Sequence, residues 1–313
     1  MAVTGMQAEL TLGPIPFHWS REEKRDFYAR IADEAPVATV YLGEVICSKR
    51  APFFETEIPE TAERLERGGK RVVLSSLAEV MLTRERKATA DLADMDGVEI
   101  EINNAAGLLA RAGRPHRVGP FMNAYNEDAI AWLARGGATH VCLPAELPGE
   151  AIAVAARAAA ALGVEVEYQV FGRAPLAVSA RCYHARAHGR TKDNCQFVCE
   201  EDADGMPLAT RDGRPFLRVN GIQTLSESYV CLVGEAGALA KAGVGHLRLM
   251  PQAVDMVGVA RAFRDCLDGR KDPAEAEAEL VGLCPGTRFS NGFYHGVAGY
   301  RKIAADAAAM ADR

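Results

Sequence analysis

A polar stretch, SARCYHARAHGRTKDNCQFVCEE at positions 179–201, holds three thiols, Cys182, Cys195 and Cys199, in the spacing C-x12-C-x3-C. No apolar pattern there would bury them as small hydrophobes, so they read as soft metal ligands. Cys195 and Cys199 stand one helical turn apart, and a local helix would point both sulfurs the same way. A fourth candidate, Cys47 in YLGEVICSKR, follows an earlier apolar run. Four thiolates around one centre are the ligand set of an all-cysteine iron–sulfur cluster or of a structural zinc. Zinc more often uses tight C-x2-C pairs, and His184 and His188 offer it nitrogen ligands. Iron–sulfur clusters accept irregular spacing drawn from separate segments. The spacing leans toward iron–sulfur and leaves zinc, or no metal, open. His184 and His188, beside Arg186 and Arg190, read as solvated or supporting groups rather than as ligands.

The other cysteines, Cys142, Cys231, Cys266 and Cys284, sit in or beside apolar runs such as THVCLP and SYVCLV and read as small buried hydrophobes. His18, His116, His140, His246 and His295 are scattered and read as structural, with His18 placed where a first strand would end. Lys49 and Arg50, next to Cys47, read equally as a grip on an anion or as solvated loop charges. No P-loop, G-x-S-x-G, H-E-x-x-H or dinucleotide glycine pattern is present, and no catalytic residue emerges.

The elements that must bring these thiols together alternate along the chain. ELTLGPIPF, VATVYLG, RVVLSSL, VEIEINN, RVGPFMN, HVCLPAE, VEVEYQVFG and HLRLMPQ read as strands, and helix-like segments follow most of them. Eight such units with short links predict an α/β fold, a (β/α)8 TIM-type barrel. Residues 203–233, with DADGMPLATRDGRPFLRVNG and SYVCLV, read as an insertion after the seventh unit. The barrel is expected to span residues 1–313 as one domain, with a helical tail from about 285. In a parallel barrel all strand C-termini open on one face, so Cys47 after the second strand and Cys182 after the seventh converge there.

With 313 residues, about half of them apolar (49%), and a net charge of -6, the chain supports a large core and argues against a general nucleic-acid surface. The N-terminal stretch lacks a basic region followed by an apolar block, and the alanine-rich AIAVAARAAAALGVEVEYQV is broken by Arg157, Glu165 and Glu167. The expectation is a cytoplasmic protein without membrane insertion, in which clustered thiols bind metal rather than form disulfides.

The stretch EYQVFGRAPLAVSARC, Glu167 to Cys182, resembles the signature of the collagenase-like peptidase family, approximately E-x-F-x-H-G-A-[LM]-C-[IV]-x-x-S-G-[QR]-C. Glu167, Gly172, Ser179, Arg181 and Cys182 match; the signature histidine is Phe171 here and the internal cysteine is Pro175. One early cysteine plus C-x12-C-x3-C resembles a member that supports oxygen-independent ubiquinone synthesis, whose paralogue UbiU keeps the signature cysteine pair. The resemblance implies a TIM-type barrel and a 4Fe–4S cluster on Cys47, Cys182, Cys195 and Cys199. It also implies a heterodimer with UbiU that hydroxylates ubiquinone precursors, prephenate as oxygen donor, and an SCP2-type lipid-binding protein, UbiT, presenting the isoprenoid quinone precursor. Arg181, beside Cys182, is a candidate to tune such a cluster. Peptidase activity is not expected, because no nucleophile, base and orienting group stand together. Two rival expectations are a non-catalytic partner with a structural or redox-sensing cluster, and a family member that modifies RNA bases.

Overall fold

The computed structural model describes residues 8–304. Eight parallel strands close a barrel: β1 (Glu9–Leu12), β2 (Thr39–Leu42), β3 (Arg71–Ser75), β4 (Glu99–Ile102), β5 (His116–Val118), β6 (Ala138–Leu143), β7 (Glu165–Val178) and, after three further strands, β11 (His246–Leu249). Closure comes from β11, which pairs in parallel with β1 on one side and with β7 on the other. The expected (β/α)8 architecture is therefore present, with its insertion after the seventh strand.

The period-2 pattern of each strand divides its side chains between two environments. Leu10 and Leu12 of β1 point outward and are buried with Tyr28 and Ile31 of helix α1 (Arg21–Glu34). Each such side chain contributes roughly 1.5–3 kcal/mol on burial. Helix α1 starts at Ser20, whose hydroxyl accepts from Glu23 N while the Glu23 carboxylate accepts from Ser20 N. It stops at Ala35, which is extended as a residue preceding proline must be. Helices α2 (Ile58–Arg67), α3 (Thr83–Asp94), α4 (Ala105–Ala110), α5 (Glu127–Arg135) and α6 (Gly149–Ala161) complete the first six crossovers.

The inward side chains are largely polar. Glu167 accepts hydrogen bonds from Tyr41 (2.8 Å), from Thr11 and from Arg248. Arg248 also donates to Glu101 at 2.5 Å and stacks over the Tyr41 ring, 4.0 Å from its centroid. Burial alone pushes the Glu167 carboxyl up, but Arg248, His246 and Thr11 outweigh it and hold it at about 2. Cys142 lies wholly buried on the same inner face, where burial drives its thiol far above the ordinary range.

Strand β7 has 14 residues, and only its first half belongs to the barrel. Gly172, at φ +101°, lets it leave: a Cβ there would meet Gln252, Met250 Cβ and Met250 O, each at 2.9 Å. Beyond Gly172 the strand pairs antiparallel with β10 (Gln223–Cys231), which continues to β9 (Pro215–Asn220) and β8 (Met206–Ala209). The insertion is thus a meander standing on the C-terminal mouth of the barrel, preceded by the short helix α7 (Tyr183–Ala187). Helix α8 (Ala236–Lys241) makes the outer return to β11, and α9 (Met256–Leu267) and α10 (Pro273–Leu283) follow. After residue 285 the chain forms turns and the two-residue β12 (Phe289–Ser290), which pairs with β10. The described part of the tail is strand and turn instead of helix, because β10 offers it a free edge; residues 305–313 lie outside the described residues.

Candidate metal centre

The segment after β2 carries the first thiol. Gly43, at φ +128°, turns the chain with only 2.6 Å between a would-be Cβ and Ser75 O. Glu44 then accepts backbone hydrogen bonds from Ile46 and Cys47, both at 2.9 Å, and Arg50 N bonds Cys47 O at 2.8 Å. The loop is so fastened that Val45 and Ile46 are buried and Cys47 is half-buried.

The other three thiols follow β7. Ser179 N bonds Ile222 O at 2.9 Å, and Cys182 caps helix α7, its sulfur accepting from Ala185 N at 3.4 Å. Cys195 and Cys199 do not share a helix turn. Gln196 (φ 50°) and Phe197 (φ 51°) are left-handed, and Cys199 sits in a separate 3-10 turn, Val198–Glu201. The reversal lets Phe197 pack on Phe53 (4.7 Å between centroids) and His18 (5.6 Å), side chains that its own segment lacks.

All four thiols line one narrow recess, with Lys49, Arg50, His184 and Phe197 on its walls. No three of the sulfurs lie within 4.8 Å of one another among the described residues. A single tetrahedral zinc, with bonds of about 2.3 Å, needs sulfurs roughly 3.8 Å apart. This more open arrangement suits a centre of several metal atoms. Burial pushes the thiols of Cys47, Cys182 and Cys199 up, with the Arg50 charge pulling Cys47 and Cys199 partly back. The protons must leave on metal binding, so affinity would rise with pH.

The walls are cationic. Arg50 is 1% exposed and donates to Pro16 O (3.0 Å) and to Asn220 Oδ1 (2.9 Å), its charge acts on the Cys199 thiol, and its Nε has no partner. Lys49 Nζ donates to Lys192 O (2.8 Å) and Asp193 O (3.0 Å) and lies 3.7 Å from Cys195 Sγ. Neither is a simple solvated loop charge. Four thiols facing a buried guanidinium and an ammonium fit a metal–sulfur centre of net negative charge. Arg181 is exposed, whereas Arg50 is buried on the recess wall beside the thiols. His184 is buried on the recess wall and bonds Asp202 at 2.9 Å, while His188 is exposed, so the two divide between the supporting and the solvated places expected of them. His18 is 3% exposed with both ring nitrogens unpartnered, and burial, then Arg50 and Lys24, lower it to about 4.

A second recess, narrow and almost wholly apolar, opens at the barrel mouth between Phe17, Val45, Phe121 and Met250. The two recesses share walls: Val45 and Ile46 line this one and Cys47 the other, and Gly221 and Gln223 divide in the same way. Gln223 and Gln252 line the apolar recess with buried amide oxygens that lack hydrogen-bond partners. Sequence reading missed these glutamines and Asn220, because the insertion that supplies two of them carries only turn signals.

The model of the family described as Peptidase family U32 matches residues 19–304. Among solved structures, an uncharacterized B. cereus protein is 13% identical with a TM-score of 0.40, covering 79% of this chain and 62% of its own. The carboxyl transferase domain from Rhizobium etli pyruvate carboxylase is 12% identical with a TM-score of 0.45, covering 93% and 51%. An uncharacterized protein from Clostridium thermocellum that binds 5-methyl-5,6,7,8-tetrahydrofolic acid is 9% identical with a TM-score of 0.42, covering 86% and 97%. The chain spans between half and two thirds of the length of the first two. Likeness at this level says nothing of substrate or cofactor.

Proposed function

The chain belongs to peptidase family U32, and on that premise we propose that it is a UbiV-type member: the iron–sulfur subunit of an oxygen-independent hydroxylase of ubiquinone synthesis. The observation that supports this reading is the recess shared by Cys47, Cys182, Cys195 and Cys199, drawn from two distant segments beside a buried Arg50. Those four residues would hold a 4Fe–4S cluster, which supplies electron transfer when bound. Arg50 and Lys49 offset its charge, and Arg50, through Pro16 O and Asn220, fastens the thiol loop to the wall of the apolar recess. That recess is narrow and apolar, and Gln223 and Gln252 line it with unpartnered amide oxygens; in this reading it marks where the edge of an isoprenoid quinone precursor would meet the mouth. In this reading the partner is UbiU, prephenate gives the oxygen, UbiT presents the lipid, and the protein works in the cytoplasm. No helix among the described residues is long and apolar enough to cross a membrane.

The test is anaerobic preparation of the full chain, with iron and acid-labile sulfide counted per polypeptide. Four iron and four sulfide are expected, falling to background in Cys47→Ala and unchanged in Cys142→Ala. A Cys47→Ala protein with full iron content defeats the ligand assignment. A deletion strain that still makes ubiquinone without oxygen defeats the pathway assignment.

A further inference from the structure

At the opposite, N-terminal end of the barrel, β6, β7 and β11 bring His140, Glu165 and His246 together, with ligand atoms all within 4.8 Å of one another. Glu165 and His246 are the first residues of their strands, so all three side chains gather at the barrel foot. Their hydrogen bonds are informative. The Thr139 hydroxyl has one proton, and it donates to His116 O at 3.1 Å. It must therefore accept from His140 Nδ1, which lies 2.9 Å away. That fixes the proton of a neutral His140 on Nδ1 and leaves a bare lone pair on Nε2, facing Glu165 Oε2 at 3.4 Å. Two acceptors thus face each other.

His246 is 3% exposed, and its Nε2 also meets Glu165 Oε2. Its Nδ1 has no hydrogen-bond partner and lies 3.7 Å from Glu9 Oε2, itself buried and without a hydrogen-bond partner. A carboxylate behind the outer nitrogen of a histidine is the usual support of a metal-bound imidazole. Of the cations at this end, Arg117 is held by Glu99 at 2.7 Å, and Arg71 stands between Glu99 at 3.4 Å and Glu9 Oε2 at 3.9 Å.

We propose that the barrel foot is a binding site for a divalent ion of the zinc class, held by His140 Nε2, His246 Nε2 and the Glu165 carboxylate, with Glu9 supporting His246. Two histidines and one carboxylate leave a fourth position for water, and zinc bonds of about 2.0–2.2 Å span a cluster of this size. The ion would join β6 to β7 and β7 to β11, the seam at which the barrel closes around its insertion. Barrel active sites lie at the other end, so the assigned role is to hold that seam.

Cobalt(II) is the probe, titrated anaerobically into the full chain and read by its visible absorption. Nitrogen and oxygen ligands give weak d–d bands alone; binding at the cysteines adds intense thiolate-to-cobalt charge transfer. We expect one equivalent with d–d bands only, at least tenfold weaker binding in Glu165→Gln and His140→Asn, and no change of that signal in Cys182→Ser. Thr139→Val, which leaves every ligand in place and removes only the tautomer lock, should also weaken binding and decides the matter if a ligand variant fails to fold. Cobalt that binds folded Glu165→Gln and His140→Asn as tightly as the parent, or that shows only thiolate charge transfer, overturns the assignment. The cysteine reading stands or falls separately, on iron content.

Discussion

Replacing Arg50 by methionine separates a cation that serves the fold from one that serves the bound centre. The substitution keeps most of the volume and removes charge-assisted bonds to Pro16 O (3.0 Å) and Asn220 Oδ1 (2.9 Å). Hydrogen bonds to charged groups are worth about 1.5–3 kcal/mol each. Against that loss, Arg50 is fully buried among thiols that carry their protons, so removing it also relieves a desolvation penalty of several kcal/mol. In metal-free protein the two nearly offset, and Arg50→Met should change stability by about 1 kcal/mol. With an anionic cluster in place the guanidinium has a counter-charge, and deleting one member of a buried pair costs about 3–5 kcal/mol. The difference, about 2–4 kcal/mol, is roughly a thirty- to seven-hundredfold loss in cluster retention. Urea unfolding of the metal-free protein and chelator-driven cluster loss from the loaded protein measure the two sides. Equal destabilisation of both forms, or unchanged retention, refutes the argument.

Two further predictions concern titration. Arg248→Met orphans Glu101 and Glu167 inside the barrel and should cost about 3–5 kcal/mol at pH 7 by chemical denaturation. In the parent, the depressed Glu167 carboxyl contributes stability above pH about 4.5 that is lost as pH falls toward 2. In the variant the burial that pushes the Glu167 carboxyl up is no longer outweighed, so the deficit should shrink as pH falls from 7 to 5; a pH-independent deficit contradicts this. His18, lowered to about 4 in the fold, must stay neutral there. Its contribution is complete above about pH 6.5 and drains away as pH falls to about 4, a slope that His18→Gln should flatten in pH-resolved melts.

Much of this protein is legible along the chain. Strand and helix periods repeat eight times because each βα unit must bury one face of a strand and one stripe of a helix locally. The four cysteines stand out because nothing around three of them is apolar. The mouth insertion is visible as a run of turn residues between two strong strands. Less legible were the polar neighbours. Arg50 looks like a loop charge until β9 brings Asn220 against it. Cys142 reads as a hydrophobe in THVCLP, yet its strand turns that position inward toward Arg248 and Glu167. The supposed helical turn from Cys195 to Cys199 is broken by two left-handed residues, because Phe197 gains packing on His18 and Phe53.

Residue types and their periods determined the barrel, its insertion and which thiols are candidates for metal, since these follow from local burial and from chemistry a side chain carries with it. Which charges meet those thiols, how far apart the sulfurs stand, and the gathering of His140, Glu165 and His246 at the foot were decided by closure of the sheet. Strand register places residues more than a hundred positions apart within a hydrogen bond of each other. No stretch of sequence encodes such a distance by itself.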